Sequence, residues 1–129
     1  MSRRAIWTIC LAFLIAAPVC AHHNMSALFD FNQRFTETGS LSSLDWRNPH
    51  IHMTVDVPNE AGALEAWSFE GPPPGFFRNR DFSRADFEAS LGKTVTVEAS
   101  RARDGSLSGL IRQVTLADGR IVSACPQNC

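Results

Sequence analysis

Apolar and polar residues alternate with a period of two along several stretches of this chain, and those stretches set its expected architecture. The clearest is His50–Val57, where Ile51, Met53, Val55 and Val57 alternate with His50, His52, Thr54 and Asp56. Successive side chains of a strand face opposite ways, so this pattern predicts one core face and one polar face. Lys93–Arg101 repeats it, with Val95, Val97 and Ala99 inward and Thr94, Thr96, Glu98 and Ser100 outward. Ala63–Glu70, carrying Trp67 and Phe69, reads as the return strand after a turn at 58–62. Phe35–Trp46 is a long first strand. Gly39 interrupts it and the apolar phase shifts between Leu41 and Leu44, two marks of a bulge or sharp bend. Leu107–Leu116 and Arg120–Ser123 supply the last strands, set off by the turn pairs Asp104-Gly105 and Asp118-Gly119.

Two signals interrupt the strands. Gly71-Pro72-Pro73-Pro74-Gly75 stops the sheet, and Pro73 or Pro74 can open a short helix through Phe76, Phe77 and Arg78. Ser83 with Asp86 three residues on reads as an N-cap with an acid in the first turn, predicting a second helical segment that ends near Leu91-Gly92. Three strands, a short helical excursion and two or three further strands predict a mainly β fold: a small OB-like antiparallel barrel with one or two short helices. A plain antiparallel sandwich satisfies the same strand count.

The N-terminus changes the picture of where this barrel works. Arg3 and Arg4 precede an apolar run from Ala5 to Ala17, and Val19 and Ala21 suit the −3 and −1 positions of a signal peptidase site. Residues 1–21 are therefore expected to be a cleaved signal peptide. Residues 22–129 are then a single β-barrel domain with an N-terminal arm, in a periplasmic or secreted location. A twin-arginine signal and lipidation at Cys20 are the competing readings; the short basic region and the bulk of Val19 disfavour them. Cleavage leaves 108 of the 129 residues, and losing two arginines takes the formal charge from −1 to −3. No later apolar run approaches the ~20 residues that span a bilayer. A slightly acidic domain with scattered arginines is not a nucleic-acid footprint. Within residues 22–34, Phe29 and Phe31 can anchor the arm, on one side of it if it is extended.

Candidate chemistry is concentrated in the four histidines, which come as two close pairs. His50 and His52 stand two apart on the polar face of a strand, about 6.5–7 Å from each other with parallel side chains. That spacing lets two imidazoles share one ion, given a third ligand. His22 at a mature N-terminus would offer its amine and its ring to one metal, the arrangement of a histidine brace, with His23 beside it. Together His22, His23, His50 and His52 form a candidate metal site, with copper the leading ion. The bland alternatives are a half-exposed strand pair and an unstructured arm. Glu37, Asp56 and Glu70 read as scattered carboxylates of solvated faces or the barrel rim, and Trp46 and Trp67 as core or rim packing, with an aromatic ligand platform the alternative. Cys125 and Cys129 can close a small terminal loop in an oxidising compartment. The chain has no nucleophile elbow, phosphate loop or HExxH.

Several short motifs occur in a fixed order: His22-His23, Trp46-x-Asn48-Pro49-His50, Trp67-x-x-Glu70, Gly92-Lys93-x-Val95-x-Val97, Asp104-Gly105-Ser106 and Leu116-x-Asp118-Gly119-Arg120. This ordered set resembles domain-of-unknown-function family 6152, a family of small bacterial exported proteins, over nearly the whole mature chain. The resemblance implies a periplasmic, β-rich barrel and carries no known activity or functional residue. The chain departs from the family pattern where Asp81 and Asn24 stand in place of an expected Gly and Ser, and in its run of three prolines at 72–74. The expected function is that of an exported, non-enzymatic binding or accessory protein of unknown ligand, binding a transition metal through its histidines. The alternative is a periplasmic protein-interaction module without metal, with an unidentified protein partner. A copper oxygenase with a histidine brace stands behind both.

Overall fold

The computed structural model describes residues 25–124. The chain runs α1 (Met25–Leu28), β1 (Phe29–Asp45), β2 (His52–Pro58), β3 (Leu64–Glu70), α2 (Pro74–Arg78), α3 (Arg84–Glu88), β4 (Thr94–Ala102), β5 (Ser108–Thr115) and β6 (Ile121–Ser123). The strands lie in the order β3-β2-β1-β4-β5-β6, and β3 pairs with β5 as well. That extra pairing joins β1 to β5 into a closed ring, the OB-like architecture expected from the strand order. The seams β1–β2, β2–β3, β1–β4 and β4–β5 are antiparallel. Five strands cannot alternate direction all the way round a ring, so one seam must be parallel. It is Ser68–Glu70 against Ser108–Leu110.

The alternating residues fill the interior as expected. Ile51, Met53, Val55, Val57, Trp67, Phe69, Val95, Val97 and Ala99 all belong to one buried cluster. The bulge expected near Leu41 is present, with the β1–β2 register shifting between Leu41 and Ser43. Gly39 has a different task from marking that bulge. A Cβ there would overlap the backbone oxygen of Asp56 and come within 2.8 Å of its carbonyl carbon, so the glycine permits β1 and β2 to approach closely.

β1 begins at Phe29, six residues earlier than the alternation suggests, and a short helix, α1, precedes it. Phe29 and Asp30 pair with Ala102 and Arg101, and the register then shifts before Arg34. This irregularity breaks the simple parity that put Phe29 and Phe31 on one side. Phe29 is buried beside Ala102 and Arg103, whereas Phe31 borders a different hollow next to His50. Ser100 also departs from expectation. It is fully buried and accepts a hydrogen bond at 3.1 Å from Nη1 of Arg112, itself only 6% exposed. A register shift between Glu98 and Ala99 accompanies this local change.

The helical excursion carries aromatic rings into the core. Phe77 of α2 and Phe87 of α3 are fully buried and pack on Trp46 at centroid separations of 5.2 and 5.0 Å. Between the helices Asp81 takes φ +61°, the left-handed conformation that glycine adopts most readily and that aspartate tolerates better than most residues. Asp81 thus takes up the conformation for which a glycine was expected. At the start of α3, Asp86 Oδ2 accepts the Ser83 N–H at 2.7 Å and its hydroxyl at 2.6 Å, while Oδ1 accepts Arg120 Nη2 at 2.7 Å. Arg120 also donates to Asp118 at 2.8 Å, so one aspartate ties α3 to the β5–β6 turn. Among the described residues, no helix is long and apolar enough to cross a membrane.

Two expectations follow. Val55 is fully buried, whereas Thr54 is half-exposed and accepts the Ser43 hydroxyl hydrogen bond at 2.9 Å. Val55→Asp should cost roughly 4 kcal/mol or more because it buries an unpaired charge. Thr54→Asp should cost about 1 kcal/mol, the scale of one hydrogen bond. Urea unfolding of the two variants compares them, and equal midpoints would reverse the facing of β2. Asp86 supplies the second. The Ser83 hydroxyl, then Arg120, then the Ser83 backbone hold its carboxyl far below the ordinary value of 3.8. A carboxyl more acidic folded than unfolded contributes stability that is complete above the unfolded value and fades as pH falls toward the folded one. Asp86→Asn should therefore lower the melting temperature at neutral pH and flatten the loss of stability below about pH 4. Thermal melts across that range report it.

Candidate functional site

The chain between β1 and β2 turns through a cis Asn48–Pro49 bond and delivers His50 to the end of the barrel. Ile51 is fully buried, which leaves His50 and His52 on the other side of the backbone. The segment leading into β2 is fixed from the far side of the β2–β3 hairpin. Ile51 N–H donates to the Pro72 carbonyl at 3.3 Å, and Gly71 N–H donates to the Ile51 carbonyl at 2.9 Å. Gly71 stands there because an added Cβ would press against Ile51 Cγ1 at 2.9 Å. The expected strand His50–Val57 thus starts at His52, with His50 two residues before it.

His50, His52 and Glu70 line one cleft of about 250 Å³, with Leu28 and Pro49 as its apolar walls. His52 lies directly opposite Glu70 in the β2–β3 register. The ring of His50 bonds to Glu70 through Nδ1 and the carboxylate Oε1. Both side chains are about three-quarters buried, at 27% and 20% exposure, whereas His52 is exposed. A His50 ring that donates from Nδ1 to the carboxylate keeps its Nε2 lone pair as an acceptor or ligand.

His50 also borders a second hollow of about 290 Å³, beside Met25, Phe31, Pro72, Leu110 and Ala124. Met25 and Ala124 are the first and last described residues, so the two ends of the described chain lie at the wall that carries His50. His22 and His23, and the Cys125–Cys129 pair, lie outside the described residues. Of the four candidate ligands, the structure brings His50 and His52 to one cleft. Among the described residues, no group of three His, Cys, Asp or Glu side chains is gathered for a metal ion.

Two partners escaped the sequence reading. Glu70 reads there as a scattered carboxylate, yet the hairpin register that pairs Pro58 with Leu64 also pairs His52 with Glu70. That signal was available once the turn was placed. Met25 had no such signal, because only the path of β1 across the barrel brings it to the hollow that His50 borders.

The remaining candidates are structural. Trp46 packs on Phe77 and Phe87, and Trp67 is buried against Phe35 at 5.2 Å and Phe69 at 6.2 Å. Arg101 lies over the Phe35 and Trp67 rings at 5.1 and 4.9 Å. Gly109 makes room for this stack, since a Cβ there would meet Phe35 Cζ at 2.8 Å. Arg112 stands 3.9 Å from Glu98, and Arg34 approaches the same carboxylate oxygen at 3.9 Å. Burial first, and the charge of Arg34 second, lower the pKa of the Arg112 guanidinium. An arginine this far from neutrality remains charged at any physiological pH.

No curated protein and no solved structure matches the chain. At the level of a family there is a match. Its model matches residues 11–113, from inside the apolar N-terminal run to the middle of β5, and the chain belongs to that family of unknown function, DUF6152.

Proposed function

We propose that this protein is an exported, non-enzymatic binding module that holds a transition-metal ion at His50, with His52 and the N-terminal His22 and His23 as further ligands. The observation that carries the reading is the His50–Glu70 contact. A carboxylate behind a histidine fixes the ring, selects its tautomer and raises the basicity of the nitrogen left for a metal. His52 shares the cleft. His22 and His23 precede Met25, which borders the His50 hollow, by three and two residues in the sequence, and this closeness along the chain is the reason for including them. Imidazoles and an amine suit copper.

Export is part of the same reading, because a free His22 amine requires cleavage after Ala21. Its support is the sequence: Arg3 and Arg4, the apolar run from Ala5 to Ala17, and Val19 and Ala21 at the cleavage positions. The interaction-module reading draws on a different observation: the hollow beside His50 is mainly apolar, walled by Phe31, Pro72 and Leu110. In that reading the histidines are the polar rim of a protein-binding surface.

Copper titration of protein recovered from its secretory host, with no affinity tag, decides between the two. Saturable binding is expected, reversed by a chelator. His50→Ala should lower affinity by about 10-fold or more and Glu70→Gln by a similar factor, the range found for lost outer-shell partners. Wild-type protein that binds no copper below millimolar concentration would leave the interaction module standing. Oxygen-dependent turnover by the copper-loaded protein would instead establish an oxygenase. Intact mass of the exported protein should correspond to a chain starting at His22. A mass retaining earlier residues, or lipid on Cys20, would remove the N-terminal chelate.

A further inference from the structure

We propose that the thioether of Met25 is a further ligand of the His50 site and that the site consequently selects a soft monovalent ion, Cu(I) or its analogue Ag(I). This rests on the metal-binding reading of His50. Met25 and His50 border the same hollow, and none of the residues lining it carries a side-chain oxygen. Such a lining disfavours a hard divalent ion, whose charge must be matched by anionic or water ligands as it leaves solvent. It suits an ion of low charge bound by imidazole and thioether, the softer donors. Glu70, the carboxylate nearest His50, is engaged by the ring and serves as its support.

The position of Met25 is built into the fold. Its helix, α1, is held to the barrel by Arg103, whose Nε donates to the Ser26 carbonyl at 2.9 Å and whose backbone N–H donates to the Leu28 carbonyl at 2.9 Å. Arg103 also approaches Asp30 at 3.5 Å, fixing the step from α1 into β1. Met25 is half-buried at this anchored turn. A methionine that merely filled a gap would leave the thioether without a metal-dependent signature.

Methyl NMR on the full chain, labelled at its methionine methyl groups, tests the assignment. The three methionines are Met1, Met25 and Met53, and Met53, only 1% exposed in the barrel core, is an internal control. Titration with Ag(I) in chloride-free buffer should move the Met25 signal to saturation and leave Met53 in place. Met25→Leu, a volume-conserving swap, assigns the signal and preserves the fold. It should weaken Ag(I) binding by about tenfold or more and leave Zn(II) affinity within about twofold. A Met25 methyl that stays put at saturating Ag(I), or a Leu variant that binds Ag(I) like wild type, overturns the thioether assignment. If His50→Ala still abolishes Ag(I) binding in that case, the histidine site stands without Met25. If no form binds Ag(I), copper or Zn(II), both readings fall together.

Discussion

The parallel seam between β3 and β5 is the constraint on which the rest of this protein depends. Only three residue pairs form it, Ser68–Ser108, Phe69–Gly109 and Glu70–Leu110. Without them the sheet is an open meander whose apolar face has no opposite wall. With them the inner faces of all five ring strands meet, and Phe69, Val55, Val97 and Val114 become fully buried in one core. Gly109 is the enabling residue on the β5 side, because the ring of Phe35 occupies the space a side chain would need. Aromatic packing at this seam is then continuous, from Phe35 across Trp67 to Phe69.

The same seam decides where the candidate site lies. Glu70 is its last pair, and the chain leaves it directly into Gly71 and Pro72, which hydrogen-bond back to Ile51. His50 is thereby held at the end of the barrel, next to the carboxylate that closes the seam. The imidazole stands on a connecting segment pinned by the Ile51 hydrogen bonds to Gly71 and Pro72, and a fixed backbone is the property a metal-binding or partner-binding residue needs. The opposite demand, covering the rest of the core, falls to the helical excursion. There Trp46, Phe77 and Phe87 interlock, and Asp86 fastens α3 to the β5–β6 turn through Arg120.

Much of this was determined by the sequence alone. Period-two alternation named the core faces of β2 and β4, because burying one face of a strand leaves a mark at every second residue. Turn chemistry placed the hairpins at Asp104-Gly105 and Asp118-Gly119, where both glycines have positive φ. Ser83 and Asp86 announced the start of α3, and the phase shift near Leu41 announced the bulge. These are local signals, each carried by residues adjacent in the chain. The pairing of His52 with Glu70 is nearly local as well, since a hairpin's register follows from its turn.

Tertiary structure alone decided the rest. Closure of the ring through a parallel seam joins residues about forty apart, and no local pattern specifies such a partner. The early start of β1 and the separate fates of Phe29 and Phe31 follow from a register shift against β4, a strand far along the chain. Burial of Ser100 under Arg112 depends on two neighbouring strands at once. So does the meeting of Met25, Ala124 and His50 at one hollow, which gathers the beginning, the end and the middle of the described chain. Alternation tells which side of a strand is apolar. Which polar residues then share a cleft is set by how the strands are ordered round the ring, and that order exists only once the ring has closed.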